Sequence, residues 1–362
     1  MVVGARGFGM PMNMNPRALL KHGGSVELAA QTYGIALENW LDLSTGINPV
    51  GWPVPSIPAS FFHSLPDYSQ ALLGSARTYY QCESIIAGAG SQAFIQALPR
   101  LRETCVVAVP ALGYAEHEAS WAACGHDILR YQSKAELQQW LDDERCDVVL
   151  VINPNNPTTQ KMGKTQLLQW REKLAEKQGW LIVDEAFMDI QPENSLASDS
   201  QLKGLIVLRS LGKFFGLAGI RVGFALAETG MLQQIARELG PWHVSGPSQW
   251  VAQQALDDKS WQQKTRLTLA LRISAYQEFL DNILQALVGR GGEHAHLFIS
   301  YRVQRSLGER LYQALAKQAV LVRLIEVDSR EVLLRFGLMD MSKTESLEKL
   351  RNSILNATEA CL

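Results

Sequence analysis

Between residues 84 and 224, short runs that are apolar throughout alternate with amphipathic stretches several helical turns long. This rhythm constrains the chain more than any other feature. A run with no polar face fits a strand covered on both sides, and the amphipathic stretch after it fits the crossover helix that does the covering. The predicted strands are residues 105–109, 147–152, 180–184, 205–209 and 222–225. Helices are expected to begin near Ser91, Tyr114, Ala135 and Thr165, with leucines and alanines at three- and four-residue spacing. The reading is an α/β fold, a mostly parallel sheet flanked by helices.

Beyond Leu239 the pattern changes to long helical stretches, the longest expected over 248–287. Short strands are expected near 295–300, 320–323 and 332–336, with a closing helix after them. This suggests a smaller α+β unit. The region up to Pro66 is rich in Gly, Pro, Asn and Trp and has one plausible helix over 25–36. The expected organisation is an N-terminal arm over 1–45 packing with the small domain, a large domain over 46–245 and a small C-terminal domain over 246–362.

The charge balance narrows the function. Lys and Arg total 34 against 36 Asp and Glu, a net charge of −2, so neither nucleic acid nor anionic lipid is an expected partner. No apolar run approaches the roughly 18 to 20 residues of a membrane helix, and the opening residues lack the continuous apolar region of a secretory signal. A cytoplasmic enzyme acting on small molecules is the expectation. The five cysteines form no C-x-x-C pair and read as packed thiols.

In open α/β sheets, functional groups collect beyond the carboxyl ends of the strands. Here the run 147–152 leads into N-P-N-N-P-T (153–158), the run 180–183 into D-E-A-F (184–187), and the run 205–209 into S-L-G-K-F-F-G-L-A-G-I-R (210–221). An amide, a carboxylate and an amine are thus offered at three strand ends. Upstream, G-A-G-S-Q-A (88–93) opens a helix whose first amides could face a phosphate. The same stretch reads as G-x-G-x-x-A of a dinucleotide site, but no acid follows at the distance a ribose contact needs. A nicotinamide-type oxidoreductase is therefore a remote alternative, and the absence of a basic patch or DNA-binding module weighs against a regulator.

Taken in this order and spacing, the motifs resemble the fold-type I pyridoxal-phosphate enzymes, in the branch shared by histidinol-phosphate aminotransferases and threonine-phosphate decarboxylases. The resemblance covers nearly the whole chain and implies pyridoxal 5'-phosphate as cofactor and a homodimer as the assembly. It makes Lys213 the amine that bonds the cofactor aldehyde. Asp184 becomes the carboxylate that keeps the pyridine nitrogen protonated, in preference to Glu185, which should face the other side of the strand. Gly90, Ser91, Gln92, Ser210 and Arg221 become the phosphate site, Asn156 the partner of the ring hydroxyl, and Tyr114 the stacking ring, chosen over Leu112 because only an aromatic can stack. Three departures stand out. Phe187 occupies a common Tyr position, Leu65 replaces a Tyr usually donated across the dimer, with Tyr68 a substitute nearby, and Thr159 replaces the Gly that closes N-P-T-G.

On the substrate side, the resemblance makes Arg335, in L-L-R-F-G, an anion-binding arginine, joined by Arg323 and by His22 of H-G-G. Those features, with D-L-S-T-G-I-N-P (42–49), D-E-A-F-M-D (184–189) and L-R-S-L-G-K-F-F-G-L-A-G (208–219), look more like the decarboxylases of cobalamin biosynthesis than the aminotransferases. The implied reaction is decarboxylation of L-threonine O-3-phosphate. Transamination of histidinol phosphate or a related amine is the alternative.

Overall fold

The computed structural model describes residues 23–67, 69–288 and 291–361. The first strand, β1 (Leu41–Asp42), lies outside the main sheet. The main sheet is built from β2 (Ile85–Gly88), β3 (Val106–Pro110), β4 (Asp127–Tyr131), β5 (Val148–Ile152), β6 (Trp180–Asp184), β7 (Leu205–Ser210) and β8 (Gly223–Leu226). Their spatial order is β2-β8-β7-β6-β5-β3-β4. All pairings are parallel except the two made by β8. β5, β6 and β7 are buried along their whole length, which is why they read as unbroken apolar runs.

Two strands escape the sequence reading. β4, D-I-L-R-Y, forms an edge and is half exposed, so it lacks the apolar run. β2, I-I-A-G, is a short run that passes straight into G-A-G-S-Q-A and reads as part of that turn.

Strand order reverses between β3 and β5: the chain moves outward from β3 to β4, then returns to β5 and continues the other way through β6 and β7. A crevice opens beyond the carboxyl ends of the strands at such a switch point. There the loops after β3, β5, β6 and β7 meet.

A four-stranded antiparallel sheet contains β9 (Glu293–His294), β10 (Phe298–Gln304), β12 (Arg323–Glu326) and β13 (Glu331–Gly337), in the order β12-β13-β10-β9. The expected strand over 320–323 is in fact divided between two sheets. β11 (Val320–Leu321) runs parallel to β1, whereas β12 starts at Arg323 and pairs with β13. The expected helix over 248–287 is likewise two helices, Gly246–Asp257 and Lys259–Val288. Asp258 divides them: its Oδ1 accepts the Trp261 N–H at 3.0 Å, capping the second helix, while its Oδ2 accepts from Trp52 Nε1 at 3.0 Å.

Candidate active site

Lys213, Asp184, Tyr114, Ser91, Gln92, Asn156, Ser210, Arg221, Arg323 and Arg335 all line one cavity of about 310 Å³ at the switch point. Gly90 lies behind its wall. His22 and Tyr68 lie outside the described residues, so their expected roles carry no structural account.

Lys213 sits in the loop after β7, its Nζ 5.6 Å from the centre of the Phe187 ring. Burial, reinforced by the guanidinium groups of Arg335 and Arg221 and opposed by Asp184, lowers its pKa to about 8. An amine so placed is a nucleophile at moderate pH. The Phe187 ring, edge-on to Phe298 at 5.3 Å, makes the wall beside it apolar.

Asp184 is the last residue of β6, and strand alternation aims it into the cavity and Glu185 away from it. Its Oδ1 accepts the Ala186 N–H at 3.0 Å, and its Oδ2 accepts from His117 Nε2 at 2.8 Å, both side chains being buried. The sequence reading passes over His117. Its signal is its place in Y-A-E-H, three residues after Tyr114 and hence on the same helix face; the two rings meet edge-on at 6.1 Å.

Tyr114 stands at the mouth of the helix Ala115–Ala123. Its hydroxyl donates to Gln92 Oε1 at 3.2 Å, and Gln92 Nε2 donates to Glu116 Oε2 at 2.9 Å. This chain of bonds fixes the ring plane. Burial raises the phenol pKa, with Glu116 and Asp184 adding to it, so the ring stays neutral.

Opposite lies a cradle with no room to spare. Gly90 has φ +76°, and a Cβ there would fall 2.6 Å from Arg221 Nη2. Arg221 itself holds a left-handed backbone at φ +53°, a costly conformation for a side chain of this size. Gly223 presses on the same loop: its Cβ would lie 2.6 Å from the Gly90 carbonyl carbon. Two glycines and a strained arginine therefore bring backbone amides, the Ser210 hydroxyl and a guanidinium fork together, the donor set for a phosphate dianion.

Asn156 is linked to the four-stranded sheet, since Arg335 Nη1 donates to its Oδ1 and Arg335 Nη2 donates to the Ser44 carbonyl. Arg335 is buried on β13, and burial together with Arg323 lowers its pKa to about 9. Arg323 is its direct cross-strand partner. Two like charges side by side are unfavourable, and the Asp42 carboxylate offsets part of that at Arg335. The loop 42–49 contributes Thr45 and Gly46 to the wall. Thr159 takes the backbone of the glycine it replaces, with φ +62°.

The class I and II aminotransferase family model matches residues 60–353, and the chain belongs to that family. A threonine-phosphate decarboxylase of Pseudomonas aeruginosa is 47% identical over 72% of this chain and 78% of the relative's length. Among solved structures, a histidinol-phosphate aminotransferase of Sinorhizobium meliloti in complex with pyridoxal-5'-phosphate superimposes with a TM-score of 0.78 at 17% identity, covering 98% of this chain and all of the other. An L-threonine-O-3-phosphate decarboxylase of Porphyromonas gingivalis gives 0.68 at 17% identity over 86% of this chain and 98% of the other. At these identities the structures speak to the fold alone. The fold is the fold-type I architecture, and the cofactor of the family is pyridoxal phosphate.

Proposed function

We propose that this chain decarboxylates L-threonine O-3-phosphate to (R)-1-amino-2-propanol O-2-phosphate and carbon dioxide, with pyridoxal 5'-phosphate as cofactor. The observation that carries the reading is the Arg323–Arg335 pair beside Lys213. L-Threonine O-3-phosphate brings both a carboxylate and a phosphate to the two guanidinium groups, whereas histidinol phosphate brings a phosphate alone. The identity to a threonine-phosphate decarboxylase supports the same choice.

When bound, the cofactor supplies an aldehyde for the substrate amine and a protonated ring that accepts the electron pair released at Cα. The residues fit that group. The Gly90–Arg221–Gly223 cradle with Ser91, Gln92 and Ser210 holds its phosphate, Tyr114 covers one face of its ring, and Asn156 serves its ring hydroxyl. Asp184, anchored by His117 and the Ala186 amide, keeps the ring nitrogen protonated. The aminotransferase-type tyrosine hydroxyl is replaced by the bare ring of Phe187.

Lys213 would hold the cofactor through its amine until a substrate amine takes its place. Arg323 and Arg335 would grip the two anionic groups and so fix the orientation of the carboxylate that leaves, using binding energy remote from the bond that breaks. After carbon dioxide leaves, the freed Lys213 delivers a proton to Cα.

In this proposal residues 46–245 form the cofactor-binding domain and 246–362 the smaller domain that brings both arginines. No described helix is long and apolar enough to cross a membrane, and the proposed setting is cytoplasmic. The assembly is a homodimer: exposed Phe62, Leu65 and Trp242 lie on neighbouring segments, where Phe61 abuts Gly246 and Trp242 shares a small cleft with Pro66. A second copy would cover them. The deciding assay supplies cofactor-loaded protein with L-threonine O-3-phosphate and measures carbon dioxide, with histidinol phosphate plus 2-oxoglutarate run in parallel for glutamate. Glutamate without carbon dioxide would move the protein to transamination.

A further inference from the structure

Behind the cavity, on the opposite face of the same strand ends, three charged side chains are sealed from water. Arg209 precedes Ser210 and Glu185 follows Asp184, so alternation turns both away from the site. Arg209 Nη1 donates to Glu185 Oε2 at 2.6 Å and Nη2 to Asp189 Oδ1 at 2.8 Å, all three residues being at most 1% exposed. Glu185 also accepts from the Leu196 amide at 2.8 Å and from the Ser195 hydroxyl. The guanidinium stacks 4.7 Å from the centre of the Tyr80 ring. The group extends to the long helix, where Arg266 Nε donates to the Asp189 carbonyl at 2.8 Å and its guanidinium lies 5.4 Å from the ring of Phe214, the neighbour of Lys213.

Stability alone gives no reason for this cluster. Removing three charges from water is costly, and well-packed apolar residues of like volume are commonly as stable or more so. Satisfaction is also incomplete, since Arg209 Nε and Asp189 Oδ2 are buried without a hydrogen-bond partner among the described residues. What the cluster does provide is position. The β6–β7 pairing ends at Asp184 and Leu208, and the last backbone bond across it is Glu185 N–H to Leu208 C=O at 2.9 Å. Beyond that bond the two chains diverge toward Asp184's loop and the Lys213 loop. The Glu185–Arg209 pair is the tie that spans them there.

We infer that Glu185, Arg209 and Asp189 are positioning residues that fix Asp184 relative to Ser210 and Lys213, at a cost in stability. The inference rests on the assignment of those three to the cofactor site, and it would survive a different substrate. Glu185→Gln keeps the shape: its Oε1 still accepts the Leu196 amide, which turns its Nε2 toward the Ser195 hydroxyl oxygen and the Arg209 Nη1 donor, so the tie to Arg209 is lost while Asp189 still holds the guanidinium. The apolar variant Glu185→Met/Arg209→Leu/Asp189→Leu removes the tie altogether. Both are compared with the wild type as holoprotein by thermal unfolding, by pyridoxal-phosphate affinity and by the pH midpoint of the bound cofactor's visible absorbance, none of which needs a substrate.

The expected result is an unfolding midpoint equal to or above that of the wild type in the apolar variant. Its cofactor affinity should fall at least about tenfold and its absorbance midpoint should shift, the range that misplacing reactive groups by around an ångström produces. Glu185→Gln should show smaller changes in affinity and absorbance midpoint in the same direction, with a lower unfolding midpoint, because it leaves the buried Arg209 charge short of a partner. Where the wild type releases carbon dioxide from L-threonine O-3-phosphate, kcat should fall with KM little changed, because Arg323 and Arg335 are untouched. Unchanged affinity and midpoint in the apolar variant would overturn the inference, and so would loss of that variant's fold, since the cluster would then be a structural support. Failure of carbon dioxide release by the wild type would overturn the substrate assignment and leave the cofactor readouts to decide this one.

Discussion

Replacing Gly223 with Ala tests the cradle at its tightest point. Gly223 is not in the left-handed backbone region, so alanine is admissible there and the penalty is purely steric. Its Cβ would lie 2.6 Å from the Gly90 carbonyl carbon and 2.8 Å from the Arg209 carbonyl oxygen, with the Ser91 amide nitrogen closer still. All three are backbone atoms in paired strands or at a helix start, and none can swing aside as a side-chain tip could. Ordinary contact begins near 3.4 Å and the Ser91 nitrogen is the nearest of the three, so the Gly90–Ser91 loop must retreat by about 1.0 Å. Alanine gains about 0.4–1 kcal/mol from the unfolded state, while overpacking a close-packed site costs about 1–3 kcal/mol. Overpacking wins, and the strain falls on the loop proposed to hold the cofactor phosphate. If roughly half of it is released by giving up the phosphate bonds, pyridoxal-phosphate affinity drops by about two- to tenfold, since about 1.4 kcal/mol is a factor of ten. Titrating the apo-protein with the cofactor, followed by visible absorbance, reads this directly, and thermal unfolding reads the strain. A variant that binds the cofactor as tightly as the wild type would show that this loop does not hold the phosphate, whatever its stability.

Three further outcomes are expected of the site. Because Lys213 has a pKa lowered to about 8, uptake of cofactor by the apo-protein should accelerate as pH rises through 8; a flat profile between pH 7 and 9 would contradict it. The folded apo-protein binds fewer protons than the unfolded chain between that pKa and the ordinary lysine value, so its stability relative to Lys213→Met should increase with pH across that window and level off above it. His117→Phe removes a buried donor to Asp184 and should cost about 1–3 kcal/mol of stability together with a substantial loss of kcat, measured by stopped carbon dioxide release; wild-type kcat would remove His117 from the site. Arg335→Gln deprives both the substrate and Asn156 of a charged donor and should raise KM for L-threonine O-3-phosphate by tenfold or more, whereas an unchanged KM would place the substrate anion elsewhere.

Much of this site is legible in the residues taken in order, because the groups that matter sit where buried strands stop. The apolar runs ending at Ile152, Asp184 and Ser210 mark three strand ends, and the residues just beyond each end are polar for a reason the core cannot supply. Alternation along a strand puts Asp184 and Glu185 on opposite faces, and the family resemblance picks the first. The glycines at 90 and 223 are visible, but that the first must make way for the Arg221 guanidinium and the second for the Gly90–Ser91 backbone depends on atoms more than a hundred residues apart in the chain.

Tertiary structure decides the rest. The pairing of His117 with Asp184 joins a helix after β3 to the end of β6, and no local pattern links them. Arg323 becomes the cross-strand neighbour of Arg335 only because the chain leaves one sheet at Leu321 and enters another at Arg323. The buried ties of Glu185 and Asp189 to Arg209 are invisible for the same reason: a charged residue in an apolar run shows that a partner is needed, and only the folded chain supplies it. Sequence determines the period of burial and the chemistry available at each strand end. Which of those groups meet is set by strand order and register, through contacts whose partners are far apart in the chain.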